Sequence, residues 1–315
     1  MSIKAISTTA LVCALTAGSA GTLAAQGYPD RPIEMIVTFG PGGGADIMGR
    51  TASQLLEERL GVPLPVSNVA GASGNAGLTQ LRSNAADGYS LGTLISLTVA
   101  SWASGLGSNT PEDFDVIAVV QNSPSFLFVS ANSQHQTAEA LFEAARAAPA
   151  TLTVATSGYG TQDDVTLQIL ADAGIAMENV PFQAPAERYA SPIGGHTSAI
   201  YEEPGDVAQF VEAGQLVPLV VFDTERHPAF PDVPTSAELG VEIAGLDNFR
   251  TLSVAAGTPE DVVTTLEDAI VDMVASPEWQ TFCESTFSCI EPVTGDAAQQ
   301  MVVDFHTTIA ELLGS

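Results

Sequence analysis

Lysine is almost absent from this chain: Lys4 is the only one, and eight arginines supply the remaining fixed cations. Against these nine bases stand 37 acidic residues, a formal net charge of −28. Such a surface repels phosphate backbones and anionic lipid, which excludes nucleic-acid binding and polybasic membrane docking. Apolar runs of the ~20 residues needed to cross a bilayer are missing too. Cysteine is scarce, limited to Cys13, Cys283 and Cys289. The C-x5-C spacing of the last two fits no common zinc pattern, and no histidine pair accompanies it. No D-x-[DN]-x-[DN]-G run offers a calcium loop, so the acidity reads as a salt-adapted, solvated surface. The four histidines, His135, His196, His227 and His306, are scattered. No glutamate pair, metal cluster or activated cysteine supplies catalytic chemistry, so no enzyme, metal or cofactor is expected.

What is present begins with an export signal. MSIKAISTTALVCALTAGSAGTLAAQG joins a short basic start to an apolar stretch broken by Thr, Ser and Gly, then to small residues. This predicts a secretory signal peptide over residues 1–25, cleaved after Ala24 or Ala25, and a periplasmic mature protein. Cys13 lacks the small residue expected just before a lipidated cysteine. In an oxidising compartment Cys283 and Cys289 suggest a local disulfide, with two buried thiols as the alternative. The mature chain, about 290 residues, is long enough for two domains of ordinary size.

Strand-like and helix-like stretches alternate along it. Strands are predicted at 33–39, 64–69, 89–95, 126–129, 152–156, 179–182, 197–202, 216–222 and 250–256. Helices are predicted at 45–60, 78–85, 138–147, 162–173, 206–213, 259–275, 277–285 and 297–313. In the first of these, Ile47, Met48, Ala52, Leu55, Leu56 and Leu60 form one apolar stripe, and Gly61 stands where a helix C-terminal glycine belongs. Alternation of this kind implies parallel sheets with helices on both faces, and two series imply two α/β lobes. Ligands of open α/β sheets bind beyond the carboxyl ends of the strands. That points to the loops at 40–45, 70–77, 96–98, 157–161, 183–186 and 202–205.

Two of these loops carry motif-like glycines. FGPGGGADIMGRT (39–51) approximates the phosphate loop G-x-x-x-x-G-K-[ST], but Arg50 replaces its lysine and Asp46, Ile47 and Met48 belong to an amphipathic helix. A dinucleotide fingerprint fails as well, because it needs glycine at Ile47. What survives is a backbone cradle at a helix N-terminus, suited to an anion. The second loop, GASGNAG (71–77), approximates a nucleophile elbow around Ser73, with Asn75 in place of its last glycine. A serine hydrolase also needs a histidine within reach, and a local hydrogen bond in a turn is the simpler role for Ser73.

Taken together, YPDRPIEMIVTFGPGGGADIMGR, SNVAGASGNAGLTQL, AADGYSLGTL, TSGYG and FPDVPTSAELG resemble the Bug-type substrate-binding proteins of tripartite tricarboxylate transporters. The resemblance runs in order over essentially the whole mature chain, including AGTPEDVV, SPEWQTF and EPVTGDAAQQMV near its end. It implies two α/β lobes joined by a two-strand hinge, 28–125 plus 251–315 and 126–250, closing over a small carboxylate. It also implies a monomer that docks to membrane permease subunits. By the same resemblance, pocket contacts come from Phe39, Gly42, Gly43, Gly44, Ala45, Gly74, Asn75, Ser96 and Thr98 on one side. Thr156, Ser157, Gly158, Tyr159, Phe182, Gln183, Ala184 and Glu202 face them, with Arg250 at the hinge. The chain departs from the family pattern in four places. Phe182-Gln183-Ala184 replaces Y-K-G, Asp164 replaces a histidine, Tyr201-Glu202-Glu203 replaces a single aspartate, and Asn248-Phe249-Arg250 replaces W-F/Y-G. These changes remove one cation, add acids and bring in an arginine, leaving open whether the ligand carries an amine. The rival readings are an exported esterase using Ser73, and a sensor component that reports its ligand to a signalling receptor.

The charge imbalance has a measurable consequence. The screening length is about 10 Å at 0.1 M salt and about 3 Å at 1 M, so added salt relieves self-repulsion. The thermal unfolding midpoint is expected to rise between low salt and about 1 M NaCl. A flat or falling midpoint in a salt titration would show that the acids are compensated locally.

Overall fold

The computed structural model describes residues 27–243 and 245–314; the expected signal peptide, with Cys13, lies outside them. Strands β1 (Glu34–Val37), β2 (Val66–Asn68), β3 (Ser90–Ile95) and β4 (Phe114–Ser123) alternate with helices α1 (Gly44–Leu60), α2 (Asn75–Ser83) and α3 (Ser96–Ala103). The middle of the chain holds β5 (Phe126–Ser130), α4 (Ala138–Ala147), β6 (Thr153–Thr156), α5 (Gln162–Asp172) and β7 (Glu178–Pro181). It continues through α6 (Pro185–Ile193), β8 (Ala199–Glu202), α7 (Ala208–Glu212) and β9 (Leu216–Val221). The last part comprises β10 (Asn248–Ala255), α8 (Glu260–Val274), α9 (Pro277–Ser285), β11 (Val293–Thr294) and α10 (Gly295–Leu312).

These strands make two sheets, in the orders β11-β4-β10-β3-β1-β2 and β7-β6-β8-β5-β9. Both are mixed, which corrects the expectation of purely parallel sheets. β1 runs parallel to β2 and β3, and β6 to β7 and β8, as helical crossovers require. β10 is antiparallel to β3 and β4, and β5 to β8 and β9. The reason is the way the chain changes sheets. Only Pro124 and Ser125 separate β4 in the first sheet from β5 in the second, and β10 returns to the first sheet after β9. No helix intervenes at the first crossing to reset strand direction. β10 lies in the first sheet from Asn248 onward, so 248–250 side with the first lobe.

Four elements escaped the periodicity reading, one of them the two-residue β11. β4 is buried along most of its length and so shows no polar–apolar alternation. α3 (SLTVASWA) is buried on every side except at its last residue and lacks an apolar stripe. It therefore reads as a loop around Ser96 and Thr98. α6 opens with Pro185 at its first turn, a helix-start signal, but is too short for a clear period.

The core explains which side of the molecule can open. One apolar cluster runs through both sheets, joining Leu94, Trp102 and Phe114 to Leu127, Val154 and Phe222, and it includes Phe249 stacked edge-on against Phe305 of α10. Each lobe has a further cluster of its own. The shared cluster lines the back of the junction, and the opposite side is polar. Cys283 in α9 is bridged to Cys289 in the segment that leads to β11.

Candidate functional site

The polar side of the junction encloses a cavity of ≈ 30 Å³ between the two sheets. The two sheets meet directly beside it, where Arg250 of the first stands 2.7 Å from Asp206, just after a strand of the second. The cavity is framed by the turn after β1, the start of α2, the end of β3 and the start of β10 on one side. Opposite stand the loop after β6, the start of α6 and the segment after β8.

The turn after β1 works through its glycines. Gly42 has a φ of +82°, a conformation that side chains resist, and its N–H donates to Asp46 Oδ2 at 2.9 Å. Asp46 also accepts from Arg50 Nε at 2.9 Å and Asn68 Nδ2 at 2.8 Å. Burial pushes against its charge, yet the bonds from Arg50, Gly42 and Asn68 win and hold its carboxyl below the usual value. Arg50 is therefore committed to helix α1 and does not face the cavity. Gly43, Gly44 and Ala45 do face it, and the first-turn amides of Gly44 and Ala45 have no acceptor among the described residues. These are the free donors of a helix N-terminus. A side chain at Gly44 would collide with the Asp206 carboxylate and the Arg250 guanidinium.

The opposing wall is charged. On α6, Arg188 grips Oε2 of Glu202 through Nε at 2.8 Å and Nη2 at 2.6 Å. Arg250, on β10 of the first sheet, reaches across to Asp206 at 2.7 Å and stands 3.7 Å from Glu203, both in the segment after β8. Ser125 donates to the other oxygen of Glu203 at 2.8 Å. Burial pushes the Glu202 carboxyl well above its usual range, with Arg188 opposing and Glu203 and Asp206 adding to the rise. Glu203 is also raised, by burial first and then by Asp206, against the pull of Arg250. Burial disfavours both guanidinium charges, but Glu202 for Arg188, and Asp206 with Glu203 for Arg250, more than reverse this.

β10 contributes a second feature. Residues two apart on a strand share a face, and Asn248 and Arg250 both line the cavity while Phe249 points into the core. Asn248 accepts from Ser96 Oγ at 3.2 Å through its carbonyl oxygen. Its Nδ2 and the Nε of Arg250 are buried donors without an acceptor among the described residues.

Of the residues nominated from the sequence, Phe39, Gly43, Gly44, Ala45 and Gly74 line the cavity from the first lobe, with Arg250. Ser157, Phe182, Gln183 and Glu202 line it from the second. Ser157 gives both its N–H and its hydroxyl to Asp163 Oδ2, each at 2.7 Å. The remaining nominees sit behind or beside the cavity. Gly42 serves the turn, as above. Asn75 binds Ser101 Oγ and Trp102 Nε1, and Ser96 braces Asn248. Thr98 is buried against Gly74. Thr156 bonds to Asn179. Gly158 backs onto the Ser73 hydroxyl, Tyr159 is 57% exposed, and Ala184 is exposed ahead of α6. Sequence reasoning missed Arg188, Glu203, Asp206 and Asn248 as lining residues. The available signal was rarity: in a chain with so few cations, an arginine following P-A-E at a helix start stands out. No histidine lines the cavity beside Ser73.

Two α/β lobes closed over a small polar cavity define a two-lobed solute-binding protein. The sequence matches the tripartite tricarboxylate transporter family receptor over residues 48–308. It is 31% identical over 268 residues to protein BugT of Bordetella pertussis, covering 83% of this chain and 82% of that one. The chain belongs to this family of periplasmic substrate-binding receptors. The fold is shared with MatC from Rhodopseudomonas palustris, solved with bound malate (TM-score 0.81, 20% identity, 91% of this chain and 100% of that one). It is shared equally with an R. palustris protein solved with adipate (TM-score 0.82, 23% identity, 91% and 98%).

Closure depends on the absence of a side chain at Gly43. A Cβ there would lie 2.8 Å from Pro185 Cγ and 3.2 Å from its Cβ, so Gly43→Val is expected to wedge the lobes apart. Small-angle scattering is expected to show a larger radius of gyration than for the unmodified protein, and ligand affinity is expected to fall at least tenfold, about 1.4 kcal/mol. An unchanged radius with unchanged affinity would make the glycine loop a mere structural turn.

Proposed function

We propose that the protein captures a small carboxylate-bearing solute in the periplasm and delivers it to the membrane subunits of a tripartite transporter. The observation that carries this reading is the set of unmatched donors on one wall of the cavity. Asn248 Nδ2 and Arg250 Nε are buried without acceptors among the described residues, and the amides of Gly44 and Ala45 open onto the same space. A buried donor without a partner is costly, and each hydrogen bond to an ionised acceptor contributes roughly 1.5–3 kcal/mol. A carboxylate is the small anion whose two oxygens can take several such donors at once. The malate and adipate held by the R. palustris proteins are acids of this kind.

In this reading the lobes comprise about 28–125 plus 251–315 and about 126–250, with β10 drawing its first residues to the first lobe. The nominated residues that line the cavity contact the solute, and Ser96 and Thr98 act by supporting Asn248 and Gly74. The protein works as a monomer after residues 1–25 are removed, and it catalyses no reaction. Ser73 has no histidine beside it in the cavity lining, so the general base of an esterase is missing from that site.

The test is calorimetry with a panel of small mono- and dicarboxylates, alongside a chromogenic-ester assay. Saturable binding without ester turnover is expected, weakened roughly 10- to 100-fold by Asn248→Ala, the equivalent of about 1.5–3 kcal/mol. Ester hydrolysis abolished by Ser73→Ala would favour the esterase. Binding indifferent to Asn248→Ala would move the carboxylate away from β10.

A further inference from the structure

The carboxylate reading accounts for one wall of the cavity and leaves the other unexplained. Glu202, Glu203 and Asp206 offer carboxylate oxygens that all lie within 4.8 Å of one another. Glu202 and Glu203 are buried, the Asp206 side chain is 6% exposed, and among the described residues two guanidiniums, Arg188 and Arg250, are paired with them. Fully ionised, the cluster carries an excess of one negative charge in a site largely removed from solvent. An incoming carboxylate adds a further like charge, which burial makes severe.

The hydrogen bonding shows where the excess sits. Both contacts from Arg188 fall on Oε2 of Glu202, and its carboxyl is otherwise hydrogen-bonded side chain to side chain with its like-charged neighbour Glu203. Glu203 is supplied by Ser125 and stands near Arg250, and Asp206 is bonded by Arg250. A cluster of three carboxyls matched by two guanidiniums therefore borders the cavity on the second lobe. Two orphaned donors, Asn248 Nδ2 and Arg250 Nε, border it on the first. Unmatched donors on one wall and a carboxyl cluster short of one cation on the other are the complement of a ligand bearing both charges.

We propose that the solute carries an ammonium group as well as a carboxylate, and that Glu202 is the residue that selects it. The ligand carboxylate accepts from Asn248, Arg250 and the first turn of α1. The ammonium donates to the Glu202 carboxyl and offsets the excess charge of the Glu202, Glu203 and Asp206 cluster. This rests on the carboxylate reading and deepens it. A deaminated acid of the same length meets the first wall equally well but leaves the carboxyl cluster short of its third cation, so discrimination comes from the second wall. The small cavity favours compact ligands of a few carbons.

Matched pairs on the unmodified protein test this: propionate and L-alanine, butyrate and 4-aminobutyrate, succinate and L-aspartate, each titrated by calorimetry at pH 7. In at least one pair the amino member is expected to bind at least tenfold more tightly, and Glu202→Gln is expected to reduce that preference to threefold or less. The pairs decide the matter on the natural sequence, so the result does not depend on the variant folding. Acids that bind as tightly as their amino partners in every pair overturn the proposal. Acids that bind better than their partners as pH falls, with buffer-dependent heats that report proton uptake, also overturn it, because a proton then neutralises the cluster. Failure of all six compounds to bind overturns the carboxylate reading itself, and this proposal with it.

Discussion

Arg250 and Asp206 approach to 2.7 Å across the junction, one on a strand of the first sheet and the other after a strand of the second. Both side chains are buried where the lobes meet. A buried pair gains strong Coulomb attraction but gives up the hydration of both ions, and the two contributions nearly cancel. When the lobes part, each group regains water. Closure on its own is therefore close to balanced, and whatever else occupies the cavity decides which state dominates. A ligand shifts such an equilibrium only by its differential affinity for the closed form. Donors aimed into the space between the lobes supply that difference.

The rest of the architecture serves this balance. The apolar cluster shared by both lobes stays on the back of the junction, where opening the front need not expose it. At the front, glycines stand where the lobes touch: Gly43 under Pro185, Gly158 against the Ser73 hydroxyl, and Gly44 beneath the Arg250–Asp206 pair. Each allows a backbone approach that any side chain would block. Arg188 and Glu202 pair within the second lobe, on α6 and β8. They belong to one wall, and Arg250 is the cation that reaches across the junction to Asp206.

Much of this was legible in the sequence, and the gaps have physical causes. Helix α1 showed its stripe and its terminal glycine because one face is buried and the other solvated. The glycine cradle was readable because an N-terminal helix turn after three glycines has few other uses. β4 and α3 were not readable, since segments buried all round carry no periodicity. The mixed sheets were missed because strand direction depends on how the chain crosses between lobes, which local patterns do not encode. Ser96 and Asn75 were nominated as contacts and hydrogen-bond behind the cavity, to Asn248 and to Ser101 and Trp102. Small polar residues at strand ends do either job, and only geometry separates them. The charged wall was hidden for a related reason: Arg188, Glu202 and Arg250 lie far apart in the chain, and pairing across such distances leaves no spacing to recognise.

The central claim is that the cavity is matched to a small molecule bearing both a carboxylate and an ammonium. Native mass spectrometry of freshly purified protein, with fragmentation of any released ligand, addresses it without prior choice of compound. The expected result is a noncovalent adduct whose released ligand loses both ammonia and the elements of formic acid or carbon dioxide. A released sugar, or any ligand that lacks either the carboxyl or the amino group, would contradict the account.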